Sequence, residues 1–482
     1  MLLRHFFAYL LAKGLPGIIS FFSILIFTRI VHPNEYGEYA LILATVGLMS
    51  SLFFQWIRVS LLRFMPKYRN KNERELFSTL LIIFIIISIL ISGIFYMCYL
   101  FNLEIIKTGS YYYLFTLILL LSMAWYELNL EIMRSQLSPI NYGKISLVKS
   151  IVTLITTVIL IKVGFGTLGL IWGLIFGNII PLLFTMRVWK NTSLKSFNLI
   201  ILKEFSKYGL PLTATFTLSY LIYSTSRFSL KYLGEYSDIG VFSVTYDFAQ
   251  QSLLLLMMII NLASYPIIIK LLEDKKDKLV YQKLEENATL LFVVSIPATI
   301  GLIILTPNIT YVVFGENYRY LAQKILPWIA IAGFLQGLKM YYIDLSFQLG
   351  KRTSMQIIPV TIGVIINILA NLILIPEYGV LGAAYASVFT YIMLVFVSYY
   401  LGRKIFIVPF PKIELMKILF SGLVMCISLY PLLAMRGVFV LIIQVVIGLI
   451  SFMFSIFIFN VSGIRKHMKK LFFKSLKREI RK

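Results

Sequence analysis

The residues of this sequence best suited to chemistry are ionisable side chains that interrupt its long apolar runs. Four are basic and four are acidic, namely Arg29, Arg58, Arg227, Lys339, Glu127, Glu131, Asp247 and Asp344. A charge in such a segment is costly unless it faces a bundle interior, a water-filled cavity or an opposite charge. The bases are therefore suited to binding an anion, and the acids to neutralising them or holding a coupling cation.

The other reactive residues do not indicate covalent catalysis. The three histidines, His5, His32 and His467, lie at the edges of apolar runs. The sequence has no Gly-Lys-Ser/Thr phosphate loop. The two cysteines, Cys98 and Cys426, are isolated within separate runs, which gives neither a disulfide framework nor a metal-ligand set. We expect no catalytic residues, no metal and no cofactor.

The eight charged residues differ in how far they lie from the ends of their apolar runs. Arg29 and Arg58 each lie near one end of a run, so their side chains can either serve a site or snorkel to the interface. Glu131 and Asp344 lie about one helical turn from an end, where a solvated position is the expectation.

The remaining four charges lie deeper. Arg227 and Asp247 fall at similar depth on consecutive runs and are expected to pair, whereas Lys339 cannot easily reach either surface. We hypothesise that Arg227, Lys339, Asp247 and Glu127 line a central cavity. The bases would bind an anion there, and the acids would keep the empty cavity near neutral.

Composition places these charges in a membrane protein. Hydrophobic residues make up 59% of the chain and charged residues only 14%, with a mean hydropathy of +0.87. The apolar runs are continuous and have the length of about 20 residues that a helix needs to cross a bilayer, which excludes a barrel of short alternating strands. They predict an all-α protein with about fourteen transmembrane helices.

The basic residues predict the orientation of these helices. Most of the 45 Lys and Arg residues, including Lys149, fall in alternate connecting segments, as expected if those segments and both termini are cytoplasmic. The net charge of +24 is thereby explained by short loops that face anionic lipid, and nucleic acid is not an expected partner.

The sequence also contains an internal repeat. Gly14-Leu15-Pro16 opens one apolar run, which is followed by Tyr36-Gly37-Glu38-Tyr39. Gly209-Leu210-Pro211 opens another, which is followed by Ile239-Gly240-Val241-Phe242. In addition, Gly166-Thr167-Leu168-Gly169 is matched by Gly379-Val380-Leu381-Gly382. Repeats of this kind are common in transporters. We predict two lobes of about six helices each, related by an axis along the membrane normal, with two further helices and a tail. The predicted ranges are 1–200, 201–410, 411–463 and 464–482.

Two polar segments are predicted to lie along the membrane surface. One connects two spans at residues 271–286. The other is the tail at 464–482, whose apolar residues recur at helical spacing among Lys and Arg. A basic amphipathic helix of this type rests on an anionic leaflet or binds a protein partner.

Several motifs resemble one known superfamily. They are Gly14-Leu15-Pro16 with Thr28-Arg29, the segment 35–39 (EYGEY), the segment 62–66 (LRFMP), the segment 314–318 (FGENY) and the segment 371–387 (NLILIPEYGVLGAAYAS). They look like the polysaccharide-transporter branch of the multidrug/oligosaccharidyl-lipid/polysaccharide exporter superfamily, which includes flippases of lipid-linked oligosaccharides and O-antigen. The resemblance covers essentially the whole chain, and its motifs are specific for fold more than for substrate.

The resemblance implies a flippase that uses alternating access. It implies movement of a polyprenyl-pyrophosphate-linked oligosaccharide from the inner to the outer leaflet for surface polysaccharide synthesis, in the cytoplasmic membrane of a bacterium or archaeon. Arg227, Lys339, Arg29 and Arg58 would bind the pyrophosphate. Asp247, Glu127, Glu131 and Asp344 would be charge partners or coupling-ion sites, with a proton or sodium gradient as the energy source. The expected partners are the lipid-linked oligosaccharide, anionic lipids, and a polysaccharide polymerase or glycosyltransferases.

Other functions remain open at this point. A cation-coupled multidrug exporter of the same fold would use Asp247 or Glu127 as its ion site. A non-transporting scaffold for polysaccharide assembly would use its basic face to recruit enzymes, and a flippase for a peptidoglycan precursor is a further alternative. The four bases within the runs favour an anionic substrate over a cationic drug.

Overall fold

The computed structural model describes residues 2–68, 72–101, 111–136, 138–463 and 465. Over these residues it is helical, with no strand, so the predicted all-α class is confirmed. Within these ranges, 12 helices are long and apolar enough to cross a membrane. The two other predicted spans coincide with helices Leu2–Ile30 and Leu199–Leu233.

The helices follow the apolar runs, and several are broken into two or three pieces within one run. In chain order they are α1 (Leu2–Ile30), α2 (Pro33–Phe53), α3 (Gln55–Tyr68), α4 (Glu73–Leu100), α5 (Tyr111–Ser135), α6 (Pro139–Lys162), α7 (Gly166–Ile179), α8 (Met186–Trp189), α9 (Leu199–Leu233), α10 (Tyr236–Glu273), α11 (Asp277–Ile304), α12 (Thr306–Val313), α13 (Glu316–Leu338), α14 (Leu345–Leu349), α15 (Ile357–Tyr378), α16 (Val380–Arg403), α17 (Lys412–Leu429) and α18 (Val438–Ile458).

The chain divides into two compact units. The first comprises Met1–Val244 and Ser354–Ala386, and the second comprises Thr245–Thr353 and Ser387–Lys482. The chain passes between them within α10, in the segment that joins α14 to α15, and within α16. The lobe ranges predicted from the repeat, and the axis that relates the lobes, stay predictions.

Some helix ends differ from the predicted ones. α9 begins at Leu199 rather than at Gly209, because Asn198 caps its first turn by accepting from the amides of Ile200 (2.8 Å) and Ile201 (3.4 Å). The segment predicted to lie along the membrane surface, 271–286, contains the end of α10 at Glu273 and the start of α11 at Asp277, and its position relative to the membrane stays a prediction. The predicted tail helix lies outside the described residues apart from Arg465.

Small residues set the packing of α7 on α6 in the first unit. Gly169, Gly173 and Gly177 recur every fourth residue of α7, and a side chain at Gly173 or Gly177 would overlap Thr157 or Thr153 of α6. Glycine at this spacing lets two membrane helices approach closely enough for backbone and side chains to interlock. The connection between α6 and α7 is tight, with positive φ at Gly164 and Gly166.

The segments around Gly37 and Gly240, which follow the two matched runs of the repeat, also touch each other within the first unit. A Cβ on Gly37 of α2 would overlap the backbone carbonyl of Tyr236, and a Cβ on Gly240 of α10 would overlap the carbonyl of Pro33. The first turns of α2 and α10 are therefore in direct backbone contact, which only glycine permits at these two positions.

In the second half of α3, polar and aromatic side chains hold this helix against α9. Ser60 Oγ donates to the Phe205 carbonyl oxygen over 2.8 Å, and the Phe64 and Phe205 rings stack with centroids 5.6 Å apart. Glu204 accepts from Lys67 Nζ (2.5 Å) and from Tyr68 Oη (2.7 Å). Because Lys67 is exposed and Glu204 is only half-buried, the ring contacts and the buried hydrogen bond contribute more than the ion pair.

In the second unit, a buried amide network ties α18 to α12. Asn308 Nδ2 donates to Gln444 Oε1 over 2.7 Å, and Asn308 Oδ1 accepts from the Gly437 amide over 2.8 Å. Gln444 Nε2 donates to the Leu432 carbonyl over 2.7 Å. These bonds satisfy the polar atoms of two fully buried side chains and fix the last two helices to the unit.

Candidate functional site

Arg58 is the centre of a charged cluster in the first unit. Its guanidinium, on α3, forms an ion pair with the Glu127 carboxylate on α5 and donates to the side-chain oxygen of Gln55. Ser50 on α2 donates from Oγ to Glu127 Oε2 over 3.1 Å. The break at Phe54 between α2 and α3 sets the position of Arg58, so three helices contribute to what we call the Arg58 cluster (Ser50, Gln55, Arg58 and Glu127).

The Arg58 cluster includes one hydrogen-bond donor that is not used within the described part of the protein. Arg58 Nε is buried and has no hydrogen-bond partner among the described residues. Glu131, further along α5, adds an electrostatic attraction to Arg58 and accepts from Arg134 Nη1 over 3.1 Å. A buried donor without an acceptor is unfavourable, so an anion that supplies oxygen atoms to Nε would be stabilised here.

Arg227 is held within the first unit and is only 2% exposed. Its Nε donates to Ser243 Oγ over 2.8 Å, and its Nη1 donates to the Tyr223 carbonyl over 3.4 Å. The guanidinium also lies over the Tyr223 ring, 4.1 Å from its centroid. An aromatic face and neutral oxygen atoms thus contribute to the environment that stabilises this buried cation.

Lys339 and Asp344 form a buried ion pair in the second unit. Lys339 Nζ lies 2.7 Å from Asp344 Oδ2, and the two residues are 8% and 9% exposed. A wide helical turn at Lys339–Ile343 separates α13 from α14, and the Asp344 amide donates to the Lys339 carbonyl over 2.9 Å. This turn brings residues five apart together, so the solvated position expected for Asp344 was wrong.

Arg29 and Asp247 are placed differently from the other charges. Arg29 is exposed in the last turn of α1, where a long side chain can reach the membrane interface. Asp247 is half-buried and belongs to the second unit, whereas Arg227 belongs to the first. Their pairing stays a prediction, as do the site roles of all eight residues.

Sequence analysis missed the uncharged polar residues of the second unit. Gln336 Oε1 accepts from Gln250 Nε2 and from Tyr246 Oη, the latter over 3.2 Å, and the Tyr246 hydroxyl lies 3.4 Å from that of Tyr391. This network joins α10, α13 and α16. A search restricted to ionisable residues overlooks it, although a glutamine in each of two apolar helices is itself a signal, because polar side chains in such helices seek partners.

The cytoplasmic location predicted for Lys149 stays a prediction. Lys149 lies within α6, a helix apolar enough to span the membrane. Its ammonium is 4.1 Å from the centroid of the Tyr126 ring on α5. The cation–π contact replaces part of the lost hydration and allows a lysine at this position.

A cavity of about 410 Å³ with almost entirely apolar walls lies in the second unit. Its walls come from α10, α11, α12, α17 and α18, and Gln444 is the one polar side chain among the residues that line it. Because the Gln444 amide is engaged by Asn308 and Leu432, the cavity offers apolar contact. It is suited to a hydrocarbon chain.

The basic residues of these clusters share one arrangement. Arg58 and Lys339 each sit beside a carboxylate, and Arg227 sits over an aromatic ring. Within the described residues, no group of three or more His, Cys, Asp and Glu side chains is arranged to hold a metal.

Comparison with known proteins was made at the level of family, sequence and fold. Residues 26–323 match the family described as "Polysaccharide biosynthesis protein". No curated protein sequence matches the chain.

Solved structures share the fold. The chain is similar to a structure described as the lipid II flippase MurJ in an inward closed conformation, with 19% identity, 95% of this chain and 99% of that chain covered, and a TM-score of 0.79. It is also similar to an inward-facing multidrug resistance MATE family transporter of the MOP superfamily (12% identity, 82% and 97% covered, TM-score 0.61). A mutant of the Vibrio cholerae MATE transporter VcmN gives 14% identity, 84% and 95% coverage, and a TM-score of 0.57.

Proposed function

From the premise that the chain belongs to the polysaccharide biosynthesis protein family, we propose that it is a flippase for a polyprenyl-pyrophosphate-linked oligosaccharide. The proposed direction is from the inner to the outer leaflet of the cytoplasmic membrane. The fold it shares with transporters, one of which is described as a lipid flippase, supports a transport role without covalent chemistry.

The observation that carries the proposal is the Arg58 cluster. A guanidinium presents donors in a planar fork that matches phosphate, and Arg58 Nε is a buried donor with no partner among the described residues. A pyrophosphate can satisfy Nε and compete with Glu127 for the rest of the guanidinium. The substrate would thus gain a charged contact that the empty site does not use.

The paired acids support the same mechanism. Glu127 beside the half-buried Arg58, and Asp344 beside the buried Lys339, neutralise these bases when no substrate is bound. An unpaired charge in a low-dielectric bundle is far more costly than in water, so this pairing keeps the empty protein stable. Exchange of a carboxylate for a phosphate then lets the same bases bind and release the anion.

The apolar cavity lined by α11, α17 and α18 is suited to the other end of the substrate. A polyprenyl chain is pure hydrocarbon and prefers such a surface to one that carries charge. The proposed substrate therefore makes use of both kinds of site, the bases for its pyrophosphate and the cavity for part of its chain.

Export of surface polysaccharide by cells that depend on this protein tests the proposal. Arg58→Ala should lower export by about tenfold to 100-fold, the value of a lost hydrogen bond to a charged group, and Arg58→Lys should retain part of it. Arg187→Ala is the matched control, because Arg187 is exposed on α8 and has no role in the cluster. Full export from Arg58→Ala, Arg227→Ala and Lys339→Ala at normal protein level would defeat the assignment.

A cation-coupled multidrug exporter is the second candidate. The fold shared with MATE transporters favours it, and half-buried Asp247 is its best ion site. Glu127 and Asp344 are less suited because each already neutralises a base. Efflux of cationic drugs that Asp247→Asn abolishes, together with unchanged polysaccharide export, would favour this alternative. In the flippase, Asp247 is instead a candidate for coupling to a proton or sodium gradient.

A further inference from the structure

A second cavity of the second unit differs from the apolar one in its charge. It is a groove of about 470 Å³, which we call the α16 groove. One wall is formed by the wide turn after α13 and by α14, including Tyr342, and the other by α16 and the segment up to Lys412. The Tyr342 hydroxyl donates to the Pro409 carbonyl, which fixes the connecting segment against the turn and shapes the groove.

The body of the α16 groove is apolar and open. Phe396 is 66% exposed and Ile407 is 55% exposed, and both line it. Exposed aromatic and aliphatic side chains at the end of a membrane-spanning helix meet hydrocarbon rather than water when the protein is in a bilayer. Tyr399, also in the lining, adds an aromatic ring with a polar tip, which is typical of the membrane interface.

The mouth of the groove is basic. Arg403 is the last residue of α16 and Lys412 is the first residue of α17, and both line the groove and are exposed. Among the described residues, neither side chain forms an ion pair. By contrast, the adjacent Lys404 lies over the Tyr400 ring of α16, 4.6 Å from its centroid. The charge of the mouth is thus not neutralised by the described part of the protein.

We propose that the α16 groove is a binding site for an anionic membrane phospholipid, with one acyl chain in the groove and the phosphate between Arg403 and Lys412. Both basic residues end candidate membrane spans, which is the depth of lipid headgroups. The groove volume of about 470 Å³ can hold one acyl chain. The inference stands apart from the proposed function, because it concerns a different cavity and a lipid that is not transported.

Lipid binding to the purified full-length protein tests the proposal. Native mass spectrometry in detergent with added phosphatidylglycerol should show one lipid that is retained more strongly than phosphatidylcholine. The double variant Arg403→Gln/Lys412→Gln should weaken that binding by about tenfold or more, since each basic residue near an anionic lipid contributes roughly fivefold. Val395→Trp, which fills the groove without altering charge, should reduce binding of the same lipid.

The matched control is Lys351→Gln/Arg352→Gln. This control also removes one lysine and one arginine from exposed positions of the second unit, but these residues do not line the groove. Equal binding of the two lipids by the unmodified protein, or unchanged phosphatidylglycerol binding by both groove variants, would overturn the proposal. So would preferential binding of polyprenyl pyrophosphate with loss of polysaccharide export in the groove variants, since that outcome assigns the groove to the exported substrate.

Discussion

The Lys339–Asp344 pair separates the stabilising role of a buried charge from its functional role. Lys339→Ala leaves the Asp344 carboxylate without its 2.7 Å ammonium partner, and breaking such a pair costs about 3–5 kcal/mol of folding free energy. Removing both charges with Lys339→Met/Asp344→Leu should be close to neutral, because no uncompensated charge remains. Thermal unfolding in detergent measures both effects.

A measurement of polysaccharide export then tests whether the Lys339–Asp344 pair also has a role in transport. If Lys339 binds the substrate, the double variant should fold with near-native thermal stability and still fail to export polysaccharide. Normal export by the double variant would show that the pair only supports the fold.

At the scale of single residues, the sequence predicted which charged residues are buried better than it predicted their ion-pair partners. Arg227 and Lys339 are buried as expected from their depth in apolar runs. The partner of Lys339 was missed because it depends on the wide turn at Lys339–Ile343, which places residues five apart side by side. The spacing of hydrophobic residues in the sequence does not predict such a turn. The pairing of Glu127 with Arg58 was not predicted either, because it depends on how α3 packs against α5.

At the scale of elements, every predicted span corresponds to helical structure, because long apolar runs have few alternatives in a membrane. The breaks within runs were not predicted. α2 ends at Phe53 and α3 begins at Gln55, although no proline or glycine marks this point. The turn near residue 275, which separates α10 from α11 within the predicted surface segment, was not predicted either.

The contact between α2 and α10 gives a prediction for single glycines. Gly37→Ala should destabilise the protein, by about 1–3 kcal/mol or more, because its Cβ would overlap the Tyr236 carbonyl and the backbones must separate. Gly93→Ala in α4 is the control, since a Cβ there meets open space and alanine is the better helix former.

Unfolding temperature in one detergent compares these two variants directly. Gly93→Ala should match or exceed the unmodified protein. An equally stable Gly37→Ala protein would mean that α2 and α10 are not in backbone contact.

At the scale of the whole molecule, the alternation of basic residues predicts the orientation in the membrane. In a protein whose Cys98 and Cys426 are replaced by Ser, we expect a cysteine at Lys276 to resist a membrane-impermeant maleimide on intact cells. A cysteine at Arg436 should be labelled, because that loop has little positive charge and is predicted to face outward.

Permeabilised cells supply the control, because both positions are exposed and both should then react. Labelling of Lys276→Cys on intact cells would reverse the orientation.

The backbone contact at Gly37 and Gly240 also bears on how the two halves of the sequence can diverge. Each glycine lies in one of the segments that the repeat matches, and each first turn is the surface against which the other packs. A larger residue in one segment therefore requires a compensating change in the other, so mutations here are expected to be fixed in pairs. Duplicated segments ordinarily drift apart independently, but these two should have coevolved.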